Sequence, residues 1–192
     1  MASNDPIFTP ELVKIIKIFG LASILMVLAL SFFNTKRANN TGEDHTFRMS
    51  DSARLYFLNL KAIEYNREVR LDAGMTLFRH QDINAFDNSP FVNLILILNP
   101  VQDESYLYLE PVNLEWPIEI ELQNDSGTET FILDDGNKFQ HFENIQKLIP
   151  YIESDSQFFI FDQGQKIPLW EKEVEKEGLK RILEDYFRIL ES

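Results

Sequence analysis

The 192-residue chain contains no cysteine, which excludes disulfides, thiolate zinc sites, thiol catalysis and a lipidated N-terminal cysteine. The compartment stays open, because proteins on both sides of a membrane do without disulfides. Cationic residues are scarce: 18 Lys and Arg stand against 31 Asp and Glu, a net charge of −13. No nucleic-acid partner is expected, since phosphate binding needs clustered Lys and Arg. The chain also lacks a Gly-rich phosphate loop, a G-x-S-x-G elbow and an H-E-x-x-H helix, so nucleotide, hydrolase and zincin chemistries lose their sequence support. No cofactor is expected, and the sequence points away from an enzyme. Glycine and proline number only 7 and 8, while 44% of the residues are apolar and 12% aromatic. This is more core-forming material than a disordered chain carries, so most of it is expected to fold. The length suits one ordinary domain plus one extra segment.

The extra segment is apolar. Residues 18–33 run for sixteen positions without a charge, and extending back to Leu12 gives 22 residues interrupted only by Lys14 and Lys17. As a helix, that stretch spans roughly 33 Å, about the hydrocarbon thickness, if both lysines snorkel toward the headgroups. The sequence therefore predicts a transmembrane anchor over 12–33 after a short tail, 1–11, with the lipid bilayer as its partner. A cleaved signal peptide competes, because Ala29-Leu30-Ser31 offers small residues where a peptidase could cut. The long leading region with Asp5 and Glu11 favours retention. Lys14 and Lys17 balance Lys36 and Arg37, so charge does not set the orientation. A short amino tail before one apolar helix suits a signal anchor, and the C-terminal domain is expected to be extracytoplasmic. Gly20, Ala22, Ser23, Ala29 and Ser31 form no small-xxx-small pair, so the anchor gives no sign of self-association.

Residues 34–46, NTKRANNTGEDHT, form a polar tether, and the domain is expected over 47–192. The triplets Asn39-Asn40-Thr41 and Asn124-Asp125-Ser126 match the glycosylation pattern, but such triplets are frequent by chance. From 54 to 78 the pattern reads mostly as strand, because Val69, Leu71, Ala73, Met75 and Leu77 alternate, although Tyr56, Leu60 and Ile63 also fit a helical face. A hairpin is expected from the apolar run 91–98 and residues 106–109. Ile118, Ile120 and Leu122 alternate with Glu119 and Glu121 in a half-exposed antiparallel strand, which returns through 130–133. At Phe139, Phe142, Ile145, Leu148 and Ile152 the period becomes helical. Residues 158–161 and 166–169 read as another hairpin, and 174–190 as an amphipathic helix that tolerates Gly178 at about 1 kcal/mol. The expected class is α+β: an N-terminal transmembrane helix, then a mainly antiparallel sheet covered by two helices.

Candidate chemistry is thin. Between Arg79 and Lys138 lie twelve Asp and Glu and no Lys or Arg. Such an acidic surface could draw a basic partner or divalent cations, or could be a solvated face. Arg48, Arg54, Lys61, Arg67, Arg70 and Arg79 outnumber their acidic neighbours from 48 to 80, so cross-strand pairing is the plainer account of both tracts. Asp125-Ser126-Gly127-Thr128 resembles the aspartic-protease tripeptide, yet Gln123 and Asn124 separate it from the strand, and Asp-Ser-Gly is ordinary turn chemistry. Asp134-Asp135-Gly136-Asn137 invites calcium but lacks the full EF-hand spacing, which favours a turn. His45, His80 and His141 are not spaced as metal pairs, although the fold could join His80, Asp82 and His141. His141 is otherwise expected as a partly exposed helix residue. No catalytic or metal residue is assigned. The expected role is a single-pass membrane-anchored accessory subunit that binds other proteins in a membrane assembly. A tethered ligand or cation sensor using the acidic sheet stands second, and a hydrolase built on Asp125 or His80 third.

Overall fold

Alternating apolar residues and tight turns build most of the domain as antiparallel hairpins. The computed structural model describes residues 10–32, 47–83, 89–124 and 127–190, apart from the side chains of 28–32. The tether 34–46, including His45, lies outside the described residues. The chain divides into two units, Met1–Gly42 and Glu43–Ser192.

In the first unit, helix α1 spans Pro10–Phe32. Proline is preorganised for the first helical position, and Glu11 in the first turn complements the helix dipole. The expected span 12–33 is thus helical as far as Phe32. Its transmembrane character does not follow from the described residues, among which no helix is long and apolar enough to cross a membrane. Their side chains end at Val27 and include Glu11, Lys14 and Lys17.

The second unit opens with helix α2, Asp51–Tyr56, where the Ser50 side chain accepts a hydrogen bond from the Ala53 amide at 3.1 Å. It continues into a π-helical turn, Phe57–Lys61, and a 3₁₀ turn, Ala62–Glu64. The strand expected from residue 54 is therefore corrected: a capped helix occupies 51–56, and its Phe57 extension is buried in the core. Strand β1 is Tyr65–Arg70 and β2 is Met75–His80, paired antiparallel. The alternation from Val69 to Leu77 crosses the intervening turn, where Gly74 takes φ +65°. A continuous sequence rhythm was two strands. A glycine suits that turn because left-handed backbone strains a side chain, and a Cβ would also lie 3.1 Å from Val101.

Strands β3 (Phe91–Asn99), β4 (Glu104–Val112), β5 (Ile118–Asn124) and β6 (Gly127–Leu133) precede helix α3, Lys138–Glu153. Strands β7 (Gln157–Asp162) and β8 (Gln165–Leu169) then lead to helix α4, Glu173–Leu190. Asn137 caps α3 by accepting from the amides of Phe139 and Gln140 at 3.0 and 3.2 Å.

The architecture is α+β, but the single sheet expected from the sequence is corrected to two four-stranded antiparallel sheets, ordered β1-β2-β3-β4 and β6-β5-β7-β8. After β4 the backbone turns at Asn113, φ +54°, and β5 pairs with β6 and β7. Strand β3 is buried at all nine positions, as a strand covered on both faces must be. Helix α3 packs along β4, and α4 against β2, β3 and β4. The Trp170 indole N–H donates to the Val92 carbonyl at 2.9 Å, so the end of β8 in one sheet is tied to β3 in the other.

Gly178 is a close-approach position. A Cβ there would meet Ile83 Cγ1 at 3.0 Å and His80 Nδ1 at 3.1 Å. Leucine is a far better helix former than glycine, so Gly178→Leu isolates the steric cost. We expect a net loss of about 1–3 kcal/mol in urea unfolding; an equal or higher midpoint would show that the helix and His80 do not pack this tightly.

Candidate functional site

Both histidines of the domain that fall on described residues are buried. His80 closes β2 with 2% of its side chain exposed. Its ring meets Tyr65 edge-on at 5.0 Å, its Nδ1 accepts from the Asp82 amide at 3.3 Å, and Glu64 and Asp82 carboxylates lie 3.7 Å from its nitrogens. His141 is not the partly exposed residue the helical pattern suggested. It stacks on Tyr108 at 4.1 Å and meets Trp116 at 5.6 Å, while its Nδ1 accepts from the Leu109 amide at 3.3 Å. Position i+3 and i+4 neighbours Asn144 and Ile145 share its buried face.

His80 and Asp82 are therefore neighbours, but His141 has other company, Asp135 at 3.4 Å. Among the described residues, no group of three or more His, Asp or Glu could hold a metal ion. The Nδ1 contacts give a chemical reason at each ring: a nitrogen that accepts an amide hydrogen bond leaves the proton of the neutral imidazole on Nε2. Neither ring offers a free lone pair. The Asp134–Asn137 segment acts as the turn leading into α3, with Asp135 accepting from the Gly136 amide at 2.8 Å and Asn137 forming the cap. Asp125 and Ser126 lie outside the described residues; beside them, Asn124 accepts from the Gly127 amide at 3.1 Å.

The arrangement that sequence reasoning missed joins residues far apart. Tyr65 donates its hydroxyl proton to Asp185 at 2.8 Å across 120 positions. Lys61 Nζ stands 3.9 Å from the same carboxylate, and Arg181 lies 3.6 Å from Glu64, which faces His80. Burial raises the Asp185 carboxyl above its ordinary range, opposed by the Tyr65 hydrogen bond and Lys61. Burial also raises the Tyr65 phenol, assisted by the Asp185 charge. Asp185 sits inside the α4 stripe at helical spacing from Ile182 and Ile189. A carboxylate interrupting that stripe was the one available signal, and nothing in the sequence named its partner.

Desolvation lowers the pKa of both histidines from 6.5. The charges facing His80 are Glu64, Asp82 and Arg181, and Asp135 faces His141. Because the unfolded chain binds these protons more readily, stability is fully present above pH about 6.5 and is lost as pH falls through the lowered native values. Asp185 acts in the opposite sense: its raised pKa contributes stability at acid pH that is lost as pH rises. The histidine part is isolated by comparison with a His80→Gln, His141→Gln variant. The native chain is expected to lose urea stability between pH 7 and 5 relative to the variant, and parallel curves would remove both histidines from the acid response.

The remaining surface offers two features. A groove of about 520 Å³ lies where α3 meets α4, lined by Ile149, Glu153, Lys180, Leu183, Phe187 and Arg188 among others. Lys180 is held to Asp155 at 2.6 Å, and Arg188 donates to the Tyr56 hydroxyl at 2.9 Å. The sheets carry cross-strand ion pairs, as the charge pattern suggested. Arg79 on β2 clasps Glu110 of β4 through two hydrogen bonds, at 2.7 and 2.5 Å, and reaches Glu68 of β1 at 2.8 Å. The Arg79 hydrogen bonds hold the Glu110 carboxyl below its usual range against the opposing effect of burial. Lys138 pairs with Glu104 and Lys166 with Glu121. Glu119 on β5 makes no ion pair with any described residue, so part of the acidic tract stays uncompensated. No family model, no curated protein and no solved structure matches this chain.

Proposed function

We propose that the chain is a single-pass membrane-anchored accessory subunit whose 47–192 domain binds other proteins in a membrane-associated assembly. Helix α1 carries the proposal. Ile15, Val27, Ile24 and Leu21 are 62, 67, 60 and 61% exposed, and at about 100° per residue they point to all sides of the helix rather than along one stripe. The sequence continues this character through 18–33 without a charge. An apolar surface of that kind is stable only when lipid or protein surrounds it. The domain supports the binding half of the proposal: Tyr65 and Asp185 pair with each other in the interior, whereas the exposed Glu119 makes no ion pair with a described residue.

Affinity isolation of the full chain from native membranes in mild detergent tests this reading. Stoichiometric companions are the expected result; a monomer without companions at native expression overturns it. The domain is placed on the extracytoplasmic side in this proposal, and protease accessibility in sealed vesicles of known orientation checks that separately.

A further inference from the structure

We propose that the free edge of β6 receives an extended, basic segment of a partner protein as an added strand. This rests on the reading of the chain as a protein-binding subunit and names the surface and the partner's chemistry. A sheet edge presents backbone N–H and C=O groups able to pair with another chain, and proteins guard such edges with charge, proline, shortness or a cover. The two sheets have four edges, β1, β4, β6 and β8. Strand β1 carries Arg67, Glu68 and Arg70. Strand β4 has α3 packed along it and contains Pro111. Strand β8 is five residues long and contains Lys166 and Pro168.

Among the described residues, strand β6 has only one of these protections, a single charge. It is seven residues long, contains no Pro, Lys or Arg, and is exposed from Gly127 to Thr130 and again at Ile132, which is 62% exposed. Its single charge is an acid, Glu129, which opposes another acidic strand and admits a basic one. Glu129 lies opposite the buried Leu122 on the inner side and accepts a hydrogen bond from the Tyr151 hydroxyl. The outer side presents three β-branched residues, Thr128, Thr130 and Ile132, opposite Gln123, Glu121 and Glu119 of β5. Side chains of that kind fit a pleated surface with a neighbour on each side.

Charge selects the occupant. Glu119 stands opposite Ile132, Asp134 follows the strand, and neither makes an ion pair with a described residue. A second copy of the chain would bring the same carboxylates to the junction, where like charges oppose pairing. A segment alternating Lys or Arg with β-branched residues puts its cations on the outer side with Glu119 and its β-branched residues on the inner side beside Phe131 and Leu133. Its backbone completes the ladder, and its cations face the uncompensated acids.

The test uses the full chain in detergent with two synthetic peptides, one alternating lysine with valine and one alternating glutamate with valine. Hydrogen–deuterium exchange is the readout. The lysine peptide is expected to slow exchange within 127–133 and the glutamate peptide to leave it unchanged. The Thr130→Lys, Ile132→Lys variant is expected to weaken lysine-peptide binding by about tenfold or more. Glu119→Lys, on the neighbouring strand, is expected to weaken it while leaving β6 intact, which covers the case of a double variant that fails to fold. Equal protection by both peptides, protection elsewhere, or affinity unchanged in the folded variants overturns the proposal. So does protein-concentration-dependent protection of 127–133 without peptide, accompanied by a dimer in sedimentation, which assigns the edge to a second copy. Native companions whose cross-links fall outside β6 would remove this proposal and leave the subunit reading standing; peptide docking on a chain that has no companions would do the reverse.

Discussion

Trp170→Ala is expected to lower the unfolding free energy by about 3–5 kcal/mol, the range for removing a large buried aromatic. Trp170 is 1% exposed, meets Phe158 edge-on at 5.1 Å and donates to Val92 at 2.9 Å. It does so with φ +52°, a conformation that costs a non-glycine residue about 1–2 kcal/mol and persists because the surroundings fix it. Truncation removes the ring contacts and the hydrogen bond joining the two sheets. Trp170→Phe keeps most of the ring volume and forfeits the N–H, so its loss should be nearer 1–3 kcal/mol by the ordinary cost of an unmade buried hydrogen bond. Urea unfolding followed by circular dichroism ranks the two. An alanine variant as stable as the parent would mean that Trp170 does not join the sheets.

The second large effect concerns α1. Placing arginine at both Leu25 and Val27 should move the chain from the membrane pellet to the supernatant after an alkaline wash. Each arginine near the centre of a spanning helix costs about 2.5–3.5 kcal/mol of insertion free energy. Together they amount to about 5–7 kcal/mol, or roughly four orders of magnitude in partition. The same substitutions on an α1 covered by a protein partner would instead strip that partner and leave lipid association unchanged. A parent chain that is itself released by the wash would defeat the anchored reading before any variant is made.

Much of the secondary structure was legible because its signals are local. Ile118, Ile120 and Leu122 alternate over a single strand, and Phe139, Phe142, Ile145, Leu148 and Ile152 recur at helical spacing along α3. The 54–64 region was misread because the apolar alternation just downstream is strong, while Tyr56, Leu60 and Ile63 on the helical side are exposed and mark no core-facing stripe. The division into two sheets could not be read, since every strand pattern is compatible with several neighbours and Trp170 reveals its role only through Val92. At the candidate site, His80 was visible as a residue type. Its setting was not, because Tyr65 and Asp185 become partners only when α4 folds back onto the first hairpin. The ion pairing of Arg79 with Glu110 was foreshadowed by opposite charge on successive strands, although not its reach past β3 to β4.

The 120-residue separation between Tyr65 and Asp185 also bears on how the polypeptide emerges from the ribosome. The hairpins of the first sheet leave the exit tunnel well before α4 is synthesised, so Phe57, Phe78 and His80 wait in the nascent chain without the helix that later packs beside them. During that interval an apolar surface is open to solvent, to chaperones and to other nascent chains. A polypeptide arrested before residue 173 is accordingly expected to recruit holdase chaperones, whereas one arrested with α4 fully outside the tunnel is not.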